Sequence, residues 1–255
     1  MTTPPVTVPA LREDWQRALC VAAHPDDLEY GVASAVARWT AQGKQVVYLL
    51  VTRGEAGIDG LDPSEAGPLR EAEQRAAGNA VGVDELEFLD YTDGVVEYGL
   101  GLRRDLARAI RRHRPDIVIT GSYADKMDGG FVNQADHRAV GLATLDAVRD
   151  AANRWVFREL SAEGHTPWAG VQTVLFNTIS PVNCGVDVTD YLEQGKTAMR
   201  AHHSYFAGLG EGVADPGEIV AHIATEAGRQ MGVPAATLFE AYVLDPTGPP
   251  PWETA

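Results

Sequence analysis

Short, continuously apolar runs alternate with amphipathic helical stretches along this 255-residue chain, and no other feature limits the fold as strongly. Ala18 to Ala23, Val46 to Val51, Leu86 to Leu89, Asp116 to Thr120 and Val171 to Asn177 are short, apolar and bounded by polar residues. A run without a polar face suits a strand buried on both sides, as in a parallel sheet. Between these runs, Leu28, Val32, Val36 and Trp39 recur at helical spacing, as do Leu102, Leu106 and Ile110. Further helices are expected from Arg70 to Val81, closing near Gly82, and from about Asp136 to Leu160. The alternation predicts βαβ units in a Rossmann-like three-layer α/β/α sandwich with a mainly parallel sheet. Ligands of such sheets bind outside the carboxyl ends of the strands, so functional residues are expected just after each run.

Charge narrows the partners. Lys and Arg number 21 against 36 Asp and Glu, a net charge of −15. That balance argues against nucleic acid, which needs clustered positive charge, and against anionic membranes. No apolar run approaches the roughly 20 residues that span a bilayer. Met1 to Pro9 has neither the basic start nor the apolar block of a secretory signal, so a cytoplasmic protein is expected. Cys20 and Cys184 imply no disulfide framework. Seven of the 15 prolines fall in the first nine or last ten residues. Extended tails are therefore expected at 1–10 and 245–255, either disordered or packed on a second copy in a homo-oligomer, around one domain at 11–244.

The strand ends carry the chemistry. After the first run stands Ala23-His24-Pro25-Asp26-Asp27-Leu28-Glu29, without the glycines of a dinucleotide turn. Pro25 favours a turn into the following helix, so His24 and Asp27 can converge on one point as ligands suited to Zn²⁺. Asp26, pointing elsewhere, is then free to act as a base. The alternative is that Asp26 and Asp27 merely cap that helix. After the second run, Arg53 and Glu55 lie in a glycine-flexed loop and either bind sugar hydroxyls, orient catalytic groups or pair with each other. Asp93-Gly94, after the third run, is a turn signal. After the fourth, a long polar loop from Gly121 to Gln134, with Asp125, Lys126, Asp128 and Gly129-Gly130, opens a helix at Asp136-His137. His137 is either an exposed helix-start residue or a second imidazole. As the latter it completes a His₂Asp set with open positions, the pattern of catalytic zinc, and Asp136 tunes the site electrostatically.

These segments resemble the LmbE-like, or PIG-L, family of zinc-dependent N-acetylglucosaminyl deacetylases over roughly Leu19 to Ser204. The likeness rests on Ala23 to Glu29, Thr52 to Gly57, Arg70 to Glu73, Leu89 to Gly94 and Asp136 to Ala139. It implies that His24, Asp27 and His137 hold Zn²⁺, or alternatively Fe²⁺, and that Asp26 is the general base. It places Glu55, Arg70 and Asp93 where members contact sugar or inositol groups, and makes the partner a small N-acetylated molecule. One departure stands out. Members commonly carry H-x-D-H, the first His stabilising the oxyanion, whereas this chain has Gln134-Ala135-Asp136-His137. Either Gln134 takes that role, or His202 substitutes from Ala201-His202-His203-Ser204, or the protein is a slow enzyme or a zinc-containing binding protein. Amides of thiol conjugates or secondary-metabolite intermediates are alternative substrates.

Three other features have two readings each. Arg103, Arg104, Arg108, Arg111, Arg112 and Arg114 form either a phosphate or partner site or a solvated helix face. Trp155 and Trp168 either pack or stack on a sugar. Phe206 to Gly217, with four glycines, is either a mobile loop near the site or an ordinary connection.

Overall fold

The computed structural model describes residues 7–127, 130–178, 181–210, 214–245, 247–248 and 250–252. Its strands are β1 (Arg17–Ala22), β2 (Gln45–Leu50), β3 (Glu85–Phe88), β4 (Ile117–Gly121), β5 (Thr173–Asn177), β6 (Cys184–Asp187) and β7 (Ala236–Val243). They form one sheet in the order β3-β2-β1-β4-β5-β7-β6. The first five strands pair in parallel, and β7 runs antiparallel to both β5 and β6. Each of the five apolar runs thus becomes a strand, shifted by a residue or two.

Both faces of the sheet are covered, which is why the inner strands lack a polar alternation. Along β1, Ala18, Cys20 and Ala22 join one core cluster, while Leu19 and Val21 join the other. The first cluster packs under α1 (Asp27–Gly31), α2 (Ala33–Ala41), α3 (Pro63–Ala80), α7 (Leu192–Arg200) and α9 (Pro216–Met231). The second packs under α4 (Leu100–His113), α5 (Ala135–Ala152) and α6 (Arg158–Ala162). Side chains of Leu or Ile size buried this fully contribute roughly 1.5–3 kcal/mol each. The three-layer α/β/α expectation therefore holds.

Several boundaries differ from the sequence reading. The pattern from Leu28 to Trp39 divides at Val32 into α1 and α2. α3 begins at Pro63, where the Asp62 side chain accepts the Ser64 N–H at 2.9 Å; this cap and the proline extend the helix seven residues ahead of Arg70. The pattern from Asp136 to Leu160 breaks after Ala152. There the buried Arg111 guanidinium donates to the carbonyls of Asp150, Ala151, Asn153 and Val156 and replaces the missing helical donors. The arginine-rich helix is α4, and its cations are consumed at home. Arg103 pairs with Asp150, Arg108 with Asp105 and Glu163, and Arg112 with Glu87.

Parts of both tails lie on the domain. At the amino end the Val8 N–H donates to the Gln230 carbonyl at 2.9 Å and Ala10 bridges Gly185; at the carboxyl end the Pro251 carbonyl accepts the Arg12 N–H at 2.8 Å, and Trp252 bridges Leu11 and packs on the core. Of the long loop after β4, Asp128 and Gly129 lie outside the described residues. So do Glu211 to Val213, Gly212 among them, in the Phe206–Gly217 segment, whose ends belong to α8 (His203–Gly208) and α9. Trp168 donates its indole N–H to the Pro115 carbonyl, while Trp155 is exposed. Among the described residues no helix is long and apolar enough to cross a membrane.

Candidate metal site and its cavity

The turn out of β1 is held by force. Asp26 sits at φ 89°, a left-handed conformation that Asp tolerates better than most residues but that still costs about 1–3 kcal/mol. Its N–H donates to Gln74 Oε1 at 3.0 Å, and the other end of Gln74 donates to Glu29 at 2.9 Å. The buried Arg70 guanidinium ties this turn to the loop after β2, donating to the Pro25 carbonyl at 2.7 Å and to the Gly54 carbonyl at 2.9 Å. Gly54 permits that approach: it lies at φ +63°, and a Cβ there would stand 2.3 Å from Arg70 Nη1.

With the turn fixed, three side chains converge. His24 Nδ1 lies 3.2 Å from His137 Nε2 and 3.6 Å from Asp27 Oδ2, and His137 Nε2 lies 3.1 Å from Asp27 Oδ1. One donor atom from each falls within 4.8 Å of the others. The outward nitrogens are also engaged. His24 Nε2 faces Asp93 Oδ1 at 3.0 Å and Asp136 Oδ2 at 3.3 Å, and His137 Nδ1 faces Asn133 Oδ1 at 3.1 Å. Two imidazoles and a carboxylate, each imidazole oriented through its far nitrogen, fit a first-row divalent cation such as Zn²⁺. A second grouping, His24 with Asp93 and Asp136, reads as this support. Asp93 accepts the Ala56 N–H, and Asp136 accepts those of Gly94 and Val96.

Charge is concentrated here, and each group shifts its neighbours. Burial alone would lower the His24 pKa, but Asp136, Asp27 and Asp93 outweigh it and push it up to about 12. His137 is raised too, its burial overcome by Asp27. Burial opposes ionisation of Asp27, yet His137 and His24 hold it well below the carboxylate range. Asp26 goes the other way. Burial, and then the neighbouring Asp27 charge, raise it to about 7 against the pull of Arg70, 3.4 Å away.

The cluster opens into a cavity of about 540 Å³ over the strand ends. His24, Asp26, Asp27, Arg70, Asp93, Gln134 and His137 all line it, as the topology rule requires. Asp136 is buried beneath His24. Three expected residues are not brought to it. Arg53 is spent on Glu71, Asp90 and the Leu89 carbonyl. Glu55 accepts the N–H groups of Arg53 and Asp93, so it braces two loops rather than facing a ligand. His202 is fully buried behind α1 with Nε2 3.4 Å from Glu29, and among the described residues it does not line the cavity. Gln134, exposed at the start of α5, does. Gln74, Asn133 and Tyr205, whose ring lies 4.2 Å from the Arg70 guanidinium, escaped sequence reasoning. Asn133, four residues before His137 on the loop side, was the one with a visible signal.

A mainly parallel sheet whose strand ends gather two imidazoles and two carboxylates at the mouth of one cavity defines a class of α/β protein with a cluster that could hold a cation. Within that class the family model for PIG-L, GlcNAc-PI de-N-acetylase, matches residues 19–148, half of the chain, and the chain belongs to this family. It is 31% identical over 195 residues to a diacetylchitobiose deacetylase of Thermococcus kodakarensis, covering 76% of this chain and 71% of that protein. Among solved structures, an N,N'-diacetylchitobiose deacetylase from Pyrococcus horikoshii superposes with a TM-score of 0.81 over 92% of this chain and 88% of that one, at 24% identity. A 4-carboxy-2-hydroxymuconate hydratase from Pseudomonas putida shares the fold at a TM-score of 0.74 and 19% identity, over 92% and 99% of the two chains. The fold alone therefore does not choose the reaction.

Proposed function

We propose that the protein is a metal-dependent hydrolase that removes the acetyl group from an N-acetylated amino sugar or sugar conjugate. The observation that carries this reading is the convergence of His24, Asp27 and His137 beside a buried Asp26 whose pKa is raised to about 7. His24, Asp27 and His137 would hold the ion, Zn²⁺ by donor type with Fe²⁺ as the alternative. A divalent cation bound there supplies Lewis acidity. Asp26, near neutral in its proton affinity, accepts the proton of the attacking water and returns it to the leaving amine. Arg70 holds Asp26 in place through the Pro25 and Gly54 carbonyls and supplies its counter-charge. Gln134, on the cavity wall, offers an amide N–H to the developing oxyanion.

The neutral Gln134 also favours a second reading, a zinc-containing binding protein with little turnover, because glutamine cannot supply an imidazolium. Acetate release from a panel of N-acetyl sugars, before and after chelation, separates the two. The hydrolase reading expects release that chelation abolishes and Zn²⁺ restores. Absence of release from every substrate, with metal bound, would sink it.

A further inference from the structure

Two tyrosines line the cavity beside Asp26. Tyr30, from α1, and Tyr205, from α8, share its wall with Asp26, Asp27 and Arg70. Both rings are seated on one small apolar cluster of Met199, Phe206 and Val220. The Phe206 ring lies 6.5 Å from that of Tyr30 and 5.3 Å from that of Tyr205, centroid to centroid. The two side chains are half-buried, and among the described residues neither phenol hydroxyl has a hydrogen-bond partner. Burial first, and then the Asp26 charge, raise the pKa of both above the ordinary phenol value. Each therefore presents a neutral O–H close to that carboxylate.

Neighbouring polar groups are already engaged. Arg70 donates to the Pro25 and Gly54 carbonyls, and Asp93 accepts the Ala56 N–H while facing His24. A phenol whose ring is packed and whose hydroxyl is unmatched can both donate to and accept from a ligand hydroxyl. Stacking on a sugar is not the role left to Tyr205. The Arg70 guanidinium covers its ring at 4.2 Å and Phe206 packs against it at 71°, so the hydroxyl is what it offers.

Position selects the group they meet. Asp26 returns its proton to the leaving nitrogen, so phenols beside Asp26 stand beside the carbon that bears that nitrogen. In a conjugate of a 2-acetamido sugar, the anomeric carbon carries the rest of the molecule. The free neighbour of the acetamide is then the 3-hydroxyl.

We infer that Tyr30 and Tyr205 are specificity-determining residues that hydrogen-bond the hydroxyl vicinal to the acetamido group, the 3-hydroxyl of a 2-acetamido sugar. This rests on the hydrolase reading above and names a substrate feature which that reading leaves open.

The test compares methyl N-acetyl-β-glucosaminide with its 3-deoxy analogue on the protein supplied with Zn²⁺, read as acetate release. The wild type is expected to favour the parent in kcat/KM by about ten- to hundredfold, because the analogue leaves desolvated hydroxyls unpaired. Tyr30→Phe and Tyr205→Phe keep each ring on Phe206 and remove only the hydroxyl. Each is expected to lower the preference by about threefold or more, and the double variant to bring it within about twofold of none. Equal kcat/KM for the two glycosides in the wild type, or a preference unmoved in the double variant, overturns the assignment. Calorimetric titration with the same glycosides reads recognition without turnover. If the parent binds more tightly than the analogue, the double variant loses that difference and neither glycoside is cleaved, the recognition stands and the hydrolase reading falls. If both are cleaved with equal kcat/KM and bind alike, the hydrolase reading stands and the tyrosine assignment falls.

Discussion

The two ends of the sheet treat charge in opposite ways. At the amino ends of β1 and β2, Glu13 is saturated by donors. Its carboxylate accepts from Arg38 Nε and Nη2 at 3.0 Å each, Trp39 Nε1 at 2.7 Å and Gln42 Nε2 at 2.8 Å. Beside it Lys44 donates to the carbonyls of Glu13 and Trp15, and Asp116 accepts the N–H groups of Gln16 and Arg17. At the carboxyl ends, Asp26, Asp27, Asp93 and Asp136 crowd around two imidazoles and one guanidinium, and Asp26 occupies a strained backbone. The first arrangement is unstrained, whereas the second crowds like charges around a strained turn. Strain and like-charge crowding persist at a site only when the surrounding structure fixes them, and they mark where a ligand does part of the work.

The largest expected effect is at the strained end. Asn also tolerates the left-handed backbone, so Asp26→Asn should fold, keep its metal and lose about 10²- to 10⁴-fold in turnover. Steady-state rates alongside elemental analysis check this, and full activity would refute Asp26 as the base. Next come the supports of His24. Asp93→Asn and Asp136→Asn are each expected to cost roughly 10- to 100-fold in metal affinity or activity, because they orient a ligand without touching the ion. Competition with a chelator of known affinity reads the loss. An effect equal to that of removing a ligand would make them ligands instead.

The smallest effect belongs to the unstrained end. Glu13→Gln should leave turnover unchanged and lower stability by about 1–2 kcal/mol at neutral pH. Burial opposes ionisation of Glu13, but hydrogen bonds from Arg38, Gln42 and Trp39 prevail and lower its pKa below the ordinary 4.5. Its contribution is therefore present above pH 4.5 and lost as pH falls through the lower folded-state value. Denaturation of wild type and variant from pH 7 to 3 should show the difference shrinking towards acid. A difference that grows would contradict the pairing.

The same contrast explains what the sequence could reveal. β1 to β5 were legible because strands buried on both faces show as unbroken apolar runs, and the residues after them were legible because topology places function there. β6 and β7 were not, since Gly185 and the alternating Glu240 and Tyr242 dilute the apolar signal in these two antiparallel strands. α9 had a readable start and stop in Asp215-Pro216 and Gly232, and was overlooked between less regular segments. At the site, spacing could bring His24, Asp27 and His137 to one place. It could not say that Arg53 and Glu55 would be absorbed by Glu71, Asp90 and backbone N–H groups, or that His202 would turn to Glu29 behind α1. Those outcomes depend on partners far away in the chain.

The ion-binding claim is tested most directly by counting metal per chain. Native mass spectrometry of the protein supplied with Zn²⁺ should show one tightly held ion in the wild type and none, or an ion lost on mild chelation, in His137→Ala and Asp27→Asn. An ion held equally well by both variants would contradict the account.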